Sequence, residues 1–253
     1  MSLLDVKEVS VRFGGQVALN AVDLDAEPAC ITGLIGPNGA GKTTLFNVIG
    51  GLQAPTKGLV LLDGEDITSL PPFKRARRGM ARTFQRLELF GLLTVRENLA
   101  VAADIRRGWA RRAGADDTKE TPAQTADRLV TQIGLEAVAD VRADALPTGQ
   151  ARLVELGRAL ATRPRLLLLD EPASGQDEQE TARFAALLRE LAGHGIGVLL
   201  VEHDMSLVMD VCEVIHVLDF GTILATGSPD EVRHNEAVLA AYLGSGPPAA
   251  AVG

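Results

Sequence analysis

Two short stretches of this 253-residue sequence carry side chains suited to phosphate chemistry. The first is Gly36-Pro37-Asn38-Gly39-Ala40-Gly41-Lys42-Thr43, followed by Thr44. It fits G-x-x-x-x-G-K-[ST], in which glycines turn the backbone tightly and aim successive N–H groups at an anion. Lys42 is then the residue that reaches the β- and γ-phosphates of a nucleoside triphosphate, and the Thr43 hydroxyl is a ligand for Mg²⁺. The second stretch is Leu166-Leu167-Leu168-Leu169-Asp170-Glu171. Four successive leucines read as a parallel strand buried on both faces. It delivers two carboxylates at its C-terminal end, where open α/β sheets hold their ligands. Asp170 is suited to hold Mg²⁺ directly or through water, and Glu171 to polarise the attacking water.

Two more polar side chains are expected at strand ends. Met80–Gln85 reads as a short strand ending in Gln85, a side chain suited to Mg²⁺ or water beside a phosphate site. By itself Gln85 carries no pattern. The apolar run Gly195–Val201 ends in Glu202-His203-Asp204, which puts His203 at the same sheet edge as a candidate γ-phosphate contact. A Gly-containing segment, Leu146-Pro147-Thr148-Gly149-Gln150, opens a helix over 152–160 and is a second potential anion site.

The elements that must position these groups follow from periodicity. Ala29–Ile35 reads as the buried strand before the glycine loop, and Thr44–Ile49 as the helix after it. Residues 3–13 alternate and predict a strand ending at Phe13, with Val17–Asp25 as its antiparallel neighbour. From spacing alone Phe13 reads as an ordinary core or turn aromatic. A strand and turn are expected over Gly58–Gly64, a short helix over Pro71–Arg78, and a helix opened by a Thr94/Glu97 capping box. Residues 104–121, with Arg106, Arg107, Trp109, Arg111 and Arg112, break the periodicity and read as a solvated irregular insertion, the alternative being arginines that flank a tryptophan at a membrane interface or on a partner. Helices are expected over Pro122–Ile133 and Glu178–Leu191, strands over 213–219 and 222–226, and two short helices after Ser228. The Gly/Pro/Ala-rich end, 244–253, reads as disordered.

Composition bounds the function. With 46% hydrophobic residues the chain buries a substantial core, as one large domain or a core with a subdomain. A formal charge of −8 argues against nucleic acid as a partner. Cys30 and Cys212, both in apolar runs read as strands, suggest no disulfide framework and point to a reducing, cytosolic compartment. No apolar run is long enough to span a bilayer, so a membrane role must come through a partner. The basic cluster Lys74, Arg75, Arg77, Arg78, Arg82 and Arg86 reads as a solvated helix face or as a surface turned towards membrane subunits or lipid headgroups.

Together, over about residues 4–243, these motifs resemble the nucleotide-binding subunit of ABC transporters. The implied fold is α/β: a P-loop NTPase (RecA-like) core with an N-terminal antiparallel β subdomain and an inserted α-helical subdomain. The core covers about 1–87 and 163–243, and the helical subdomain about 88–162. The resemblance makes Gln85 the Q-loop glutamine, His203 the switch histidine, Leu146–Gln150 the signature loop and Ser174–Asp177 the D-loop. It also reverses the reading of Phe13, which becomes the aromatic that stacks on adenine. Glu171, His203, Gln85 and Lys42 are the implied catalytic set. Residues 36–44, Phe13 and Thr148, Gly149 and Gln150 contact ATP, and Thr43, Gln85 and Asp170 serve Mg²⁺.

Arg82-Thr83-Phe84-Gln85, Thr94–Leu99, the insertion at 104–121, Glu202-His203-Asp204-Met205 and Ala241-Tyr242-Leu243-Gly244 look most like the subunits of branched-chain amino-acid importers. Lipopolysaccharide-export and urea-import ATPases share some of these features, and a soluble ABC-type assembly factor is a further alternative. The resemblance implies a peripheral ATPase at the cytoplasmic face of the membrane. Its partners would be a second ATPase subunit, two integral membrane permease subunits and, indirectly, a solute-binding protein. Two departures stand out. Pro147 and Thr148 replace the serine and first glycine of the usual Leu-Ser-Gly-Gly-Gln, and Gln176 stands where the D-loop usually has leucine. The altered signature beside intact phosphate-loop and acidic motifs suggests a heterodimer with a related ATPase.

Overall fold

The computed structural model of the chain describes residues 2–84, 86–114 and 119–243. Two sheets organise it. In the first, β1 (Leu4–Phe13) pairs antiparallel with β2 (Gln16–Ala26) and β4 (Lys57–Leu62), and β4 pairs with the short β5 (Glu65–Asp66). The second has six strands in the order β10-β9-β3-β8-β7-β6. Its parallel members are β3 (Ile31–Ile35), β6 (Met80–Arg82), β7 (Leu166–Asp170), β8 (Gly197–Val201) and β9 (Val214–Asp219). β10 (Thr222–Gly227) closes one edge antiparallel.

Every residue of β3, β7 and β8 is buried, because both faces of this sheet are covered. The period of two then divides each strand between two cores. Leu166 and Leu168 join the core containing α1 (Lys42–Gly50) and the antiparallel sheet. Leu167 and Leu169 join the other core, with α3 (Val95–Arg112), α4 (Pro122–Gln132), α5 (Thr148–Ala161) and α6 (Glu178–Gly193). A continuous leucine run is what such a doubly covered strand requires. Alternation would leave one core without its share of apolar surface.

Capping boxes start α3 (Thr94/Glu97), α4 (Thr121/Gln124), α6 (Asp177/Glu180) and α8 (Pro229–Arg233, Ser228/Glu231). Among the described residues the other α-helices are α2 (Pro72–Arg77), α7 (Met205–Val211) and α9 (Glu236–Leu243).

The structure corrects several expectations. α3 is continuous to Arg112, so residues 104–112 are helical rather than irregular. Trp109 packs its ring 5.7 Å from the Arg77 guanidinium, which also lies 5.5 Å from the Phe73 ring. The helix is thus held by tertiary contacts that local periodicity does not reveal. Cys212 ends α7 and lies in no strand. Both thiols are free and buried, and burial pushes Cys212 up to about 12. Residues 244–253, expected as a tail, lie outside the described residues.

Nor do the six basic residues of 74–86 form one surface. Arg75 is only 1% exposed. Its Nη1 donates to Val48 O (2.7 Å) and Ile49 O (2.6 Å), its Nε to Leu70 O and its Nη2 to Thr68 O. It therefore caps the carbonyl end of α1, where a buried cation is favoured. Burial lowers its pKa to about 10, which leaves it charged at neutral pH. Arg82 is mostly enclosed as well, and Arg78 pairs with Glu65 at 2.8 Å.

His216 of β9 ties the two sheets together. Its Nε2 lies 3.1 Å from Asp25 O, and its Nδ1 lies 2.9 Å from Thr226 Oγ1. A carbonyl only accepts, so Nε2 carries the proton and Nδ1 accepts from the threonine. Burial holds the ring's pKa below the ordinary 6.5. The unfolded chain therefore binds a proton near 6.5 while the folded chain refuses it until lower pH. Stability from this site is full above 6.5 and falls as pH drops towards the folded value, by up to about 1.4 kcal/mol per pH unit. Melting temperature should fall as pH drops from about 6.5 to about 5.5, and His216→Gln should flatten that fall. An unchanged slope in the variant would contradict this origin.

Candidate functional site

The glycine loop is fixed by close backbone approaches at both ends. Gly36 has φ 151°, and a Cβ there would lie 2.0 Å from Leu218 O. Gly41 has φ 110°, and a Cβ there would meet Ala18 O at 2.9 Å. No larger residue fits either position without moving β9 or β2. Gly41 caps α1 without a side chain, and the first turn of the helix holds no acid. The first intrahelical bond runs from Leu45 N to Gly41 O. The N–H groups of Lys42, Thr43 and Thr44 thus precede it at the positive end of the helix, an arrangement suited to an anion.

Lys42 Nζ donates to Gly36 O (2.6 Å) and Pro37 O (3.0 Å), so its ammonium arches over the loop. Burial lowers its pKa, and the nearby Glu171 and Asp170 oppose that shift. Asn38, Gly39 and Thr43 are exposed. Ala40 differs: it is buried, and its N–H is taken by Pro37 O at 3.2 Å. Burial pushes the phenol of Tyr242, on α9, up, and the nearby Gly36 backbone opposes that shift. This brings α9 beside the loop, which sequence spacing does not show.

Asp170 is 3% exposed at the end of β7. Its N–H donates to Thr83 Oγ1 at 3.3 Å, and its Oδ2 accepts from Arg82 Nη2 at 3.3 Å. Burial raises its pKa, and Arg82 is the first charge to oppose that. Glu171 adopts φ 48°, a conformation sparsely occupied by non-glycine residues. Its N–H donates to Val201 O (2.9 Å) and its carbonyl accepts from Ser174 N (3.2 Å), so hydrogen bonds hold this turn.

The loop after β8 is built around Glu202, 2% exposed. Its carboxylate accepts from Ala173 N (2.9 Å), His203 N (3.0 Å) and Asp204 N (3.5 Å), and burial raises its pKa. It fastens the segment after Glu171 to the one bearing His203, whose side chain remains 67% exposed. Asp204 then caps α7 by accepting from Ser206 N and Leu207 N. By sequence alone Glu202 is only a neighbour of His203. Its signal was a carboxylate closing a fully apolar strand.

Phe13 ends β1 and is 52% exposed, so it is not a core aromatic. Its hairpin partner β2 lies against the glycine loop through Ala18 O and Gly41. Gln85 lies outside the described residues, and β6 ends at Arg82. The preceding Phe84 is fastened to α5: its N–H donates to Glu155 Oε1 (3.2 Å) and its carbonyl accepts from Arg152 Nη1 (2.6 Å). A groove of about 320 Å³ opens there, lined by Arg82, Phe84, Phe90, Trp109, Glu155 and Arg158 among others.

α5 begins at Thr148, with Pro147 as an N-cap that makes no side-chain bond. The first intrahelical bond runs from Ala151 N to Pro147 O. Thr148, Gly149 and Gln150 thus supply three leading N–H groups, and the proline removes the fourth. A Cβ on Gly149 would stand 3.0 Å from a Glu180 carboxylate oxygen, and Gly149, Gln150, Gln176 and Glu180 share a cleft.

A family model described as ABC transporter matches residues 19–174. The chain belongs to the ATP-binding subunits of ABC transporters. A second model, branched-chain amino acid ATP-binding cassette transporter, matches residues 222–248. The chain is 41% identical to the high-affinity branched-chain amino acid transport ATP-binding protein BraF of Pseudomonas aeruginosa and 42% identical to LivG of Escherichia coli. Each alignment covers 96% of this chain and 98% of the relative. The lipopolysaccharide export ATP-binding protein LptB of Haemophilus influenzae is 36% identical over the same shares.

Among solved structures, a nucleotide-free ATP-binding cassette of an ABC transporter superposes with a TM-score of 0.85 at 29% identity, covering 96% of this chain and 99% of that one. A cassette in its ADP conformation gives 0.84 at 31%, with the same coverage. A dimeric cassette bound to ADP and Pi gives 0.77 at 25%, covering 89% and 98%. The ABC ATPase described here therefore shares its architecture with cassettes that bind nucleotide and with one that dimerises.

Proposed function

We propose that this ABC ATPase powers import of branched-chain amino acids. The carrying observation is the convergence of Lys42, Asp170 and Glu171 at the ends of β3 and β7, in a chain 41–42% identical over 96% of its length to two branched-chain ATPases. Residues 36–44 bind the phosphates of ATP, with Lys42 turning from the Gly36 and Pro37 carbonyls to the β- and γ-oxygens. Phe13 stacks on the adenine. Glu171 accepts a proton from the attacking water as its oxygen bonds to the γ-phosphorus and ADP departs, while His203 contacts the γ-phosphate.

Thr43 and Asp170 supply hard oxygen donors for Mg²⁺, with Gln85 as a further contact. Among the described residues no cluster of three His, Cys, Asp or Glu could cage a metal. That donor set fits an ion that takes most of its ligands from phosphates and water. When bound, Mg²⁺ neutralises charge developing on the phosphates.

A second ATPase subunit completes each site by directing the start of its α5 at the γ-phosphate. Here that turn offers Thr148, Gly149 and Gln150 but no donor at Pro147. A lost charge-assisted bond costs about 1.5–3 kcal/mol. This asymmetry supports pairing with a related subunit rather than a second copy. One permease subunit docks in the groove between Phe84 and Trp109 and the other in the matching groove of the partner ATPase, with the ATPase peripheral at the cytoplasmic face. Among the described residues no helix is long and apolar enough to cross a membrane.

Capturing the assembly from membranes through this chain tests the reading. A second ATPase, two permeases and bound leucine, isoleucine or valine are expected. Recovery of lipopolysaccharide-export components, or of no membrane subunit, would contradict it.

A further inference from the structure

Arg82 is the last residue of β6, and its guanidinium is attached on two sides. Nη2 holds Asp170 Oδ2 at 3.3 Å. Nη1 donates to Asn47 Oδ1 (2.9 Å) and Phe46 O (3.2 Å), both on α1. The guanidinium carbon lies 5.0 Å from the Phe46 ring and 5.1 Å from the Phe84 ring, and the side chain is almost wholly enclosed. A Cβ on Gly50 would stand 2.9 Å from Nη1, so α1 carries its smallest residue where the guanidinium passes. Among the described residues the buried Nε has no partner, a desolvation cost accepted for the other contacts.

A planar guanidinium fixes the direction of each bond it donates, unlike an ammonium. One side chain thus sets the distance between Asp170 and α1, whose first turn carries Lys42 and Thr43. We propose that Arg82 is a positioning residue for the magnesium site. It holds Asp170 in register with Thr43, so that a cation and the ATP phosphates can be bound together. The inference rests on the reading of Asp170 and Thr43 as the metal's protein contacts. Arg82 need touch neither nucleotide nor metal. Groups standing behind a metal ligand commonly change metal affinity by about 10- to 100-fold when removed.

The test is a magnesium titration of a fluorescent N-methylanthraniloyl ATP bound to the purified full chain, compared with binding in excess chelator. In Arg82→Met the Mg²⁺ concentration giving half the metal-dependent increment should rise about tenfold or more. Affinity without metal should stay within about twofold, because the glycine loop is untouched. Asn47→Ala, which keeps the Asp170 and Phe46 O contacts and removes one of the two bonds to α1, should shift the titration in the same direction by less. Arg82→Lys should recover part of the response. A wild-type magnesium response in Arg82→Met and Asn47→Ala overturns the proposal, as does an equal loss of metal-free binding. Asp170→Asn separates the levels. If it too responds like the wild type, the metal reading of Asp170 fails. If it loses the response while Arg82→Met keeps it, only the role of Arg82 fails.

Discussion

Glu171→Gln should bind ATP as the wild type does and hydrolyse it about 10²- to 10⁴-fold more slowly, the range lost when a positioned general base is removed. The substitution keeps the size of the side chain and one of its acceptors, so the turn held by Val201 O and Ser174 N is undisturbed. What disappears is the ability to take a proton from water. The left-handed backbone at residue 171 supports a role beyond packing, since φ 48° disfavours any non-glycine residue and is kept here by two hydrogen bonds. Phosphate release under saturating ATP, measured beside nucleotide binding, checks both halves. Turnover within about threefold of wild type would mean that another group positions the water.

Lys42→Ala should act on the other quantity. The ammonium lies over the loop at 2.6 Å from Gly36 O, part-buried, with both carboxylates near enough to favour its charged form. Its bonds to phosphate oxygens would be charge-assisted, each worth about 1.5–3 kcal/mol. Loss of one such bond weakens ATP binding by roughly 10- to 150-fold. Folding should be little affected, because the partners lost are two loop carbonyls that water can reach once the side chain is truncated. Titration with nucleotide and a melting curve separate the two effects. Unchanged affinity would remove Lys42 from the phosphate site.

The glycine loop and the acidic strand were legible because their chemistry is local. The loop's spacing describes its own backbone, and the leucine run before Asp170 reports burial on both faces. The capping box at Thr94 was legible for the same reason. Arg75 and Arg82 were not. Both read as surface charge, yet Arg75 is satisfied by carbonyls 26 and 27 residues away and Arg82 by a carboxylate 88 residues away. Composition cannot distinguish a solvated guanidinium from one aimed at the end of a helix. The second half of α3 was missed similarly: its arginines obscure an apolar period, and Trp109 is held by Arg77 of α2. Glu202 shows the same limit, since its three N–H partners lie in two loops that only the sheet brings together.

The membrane assembly captured through this chain, reconstituted in vesicles with its binding protein, offers the most direct measurement: uptake of labelled leucine driven by ATP on the side of the ATPase. Uptake should require ATP, extend to isoleucine and valine, and vanish when Glu171→Gln replaces the wild-type subunit. ATP hydrolysis without uptake of any of the three amino acids, or uptake that survives Glu171→Gln, would contradict the account.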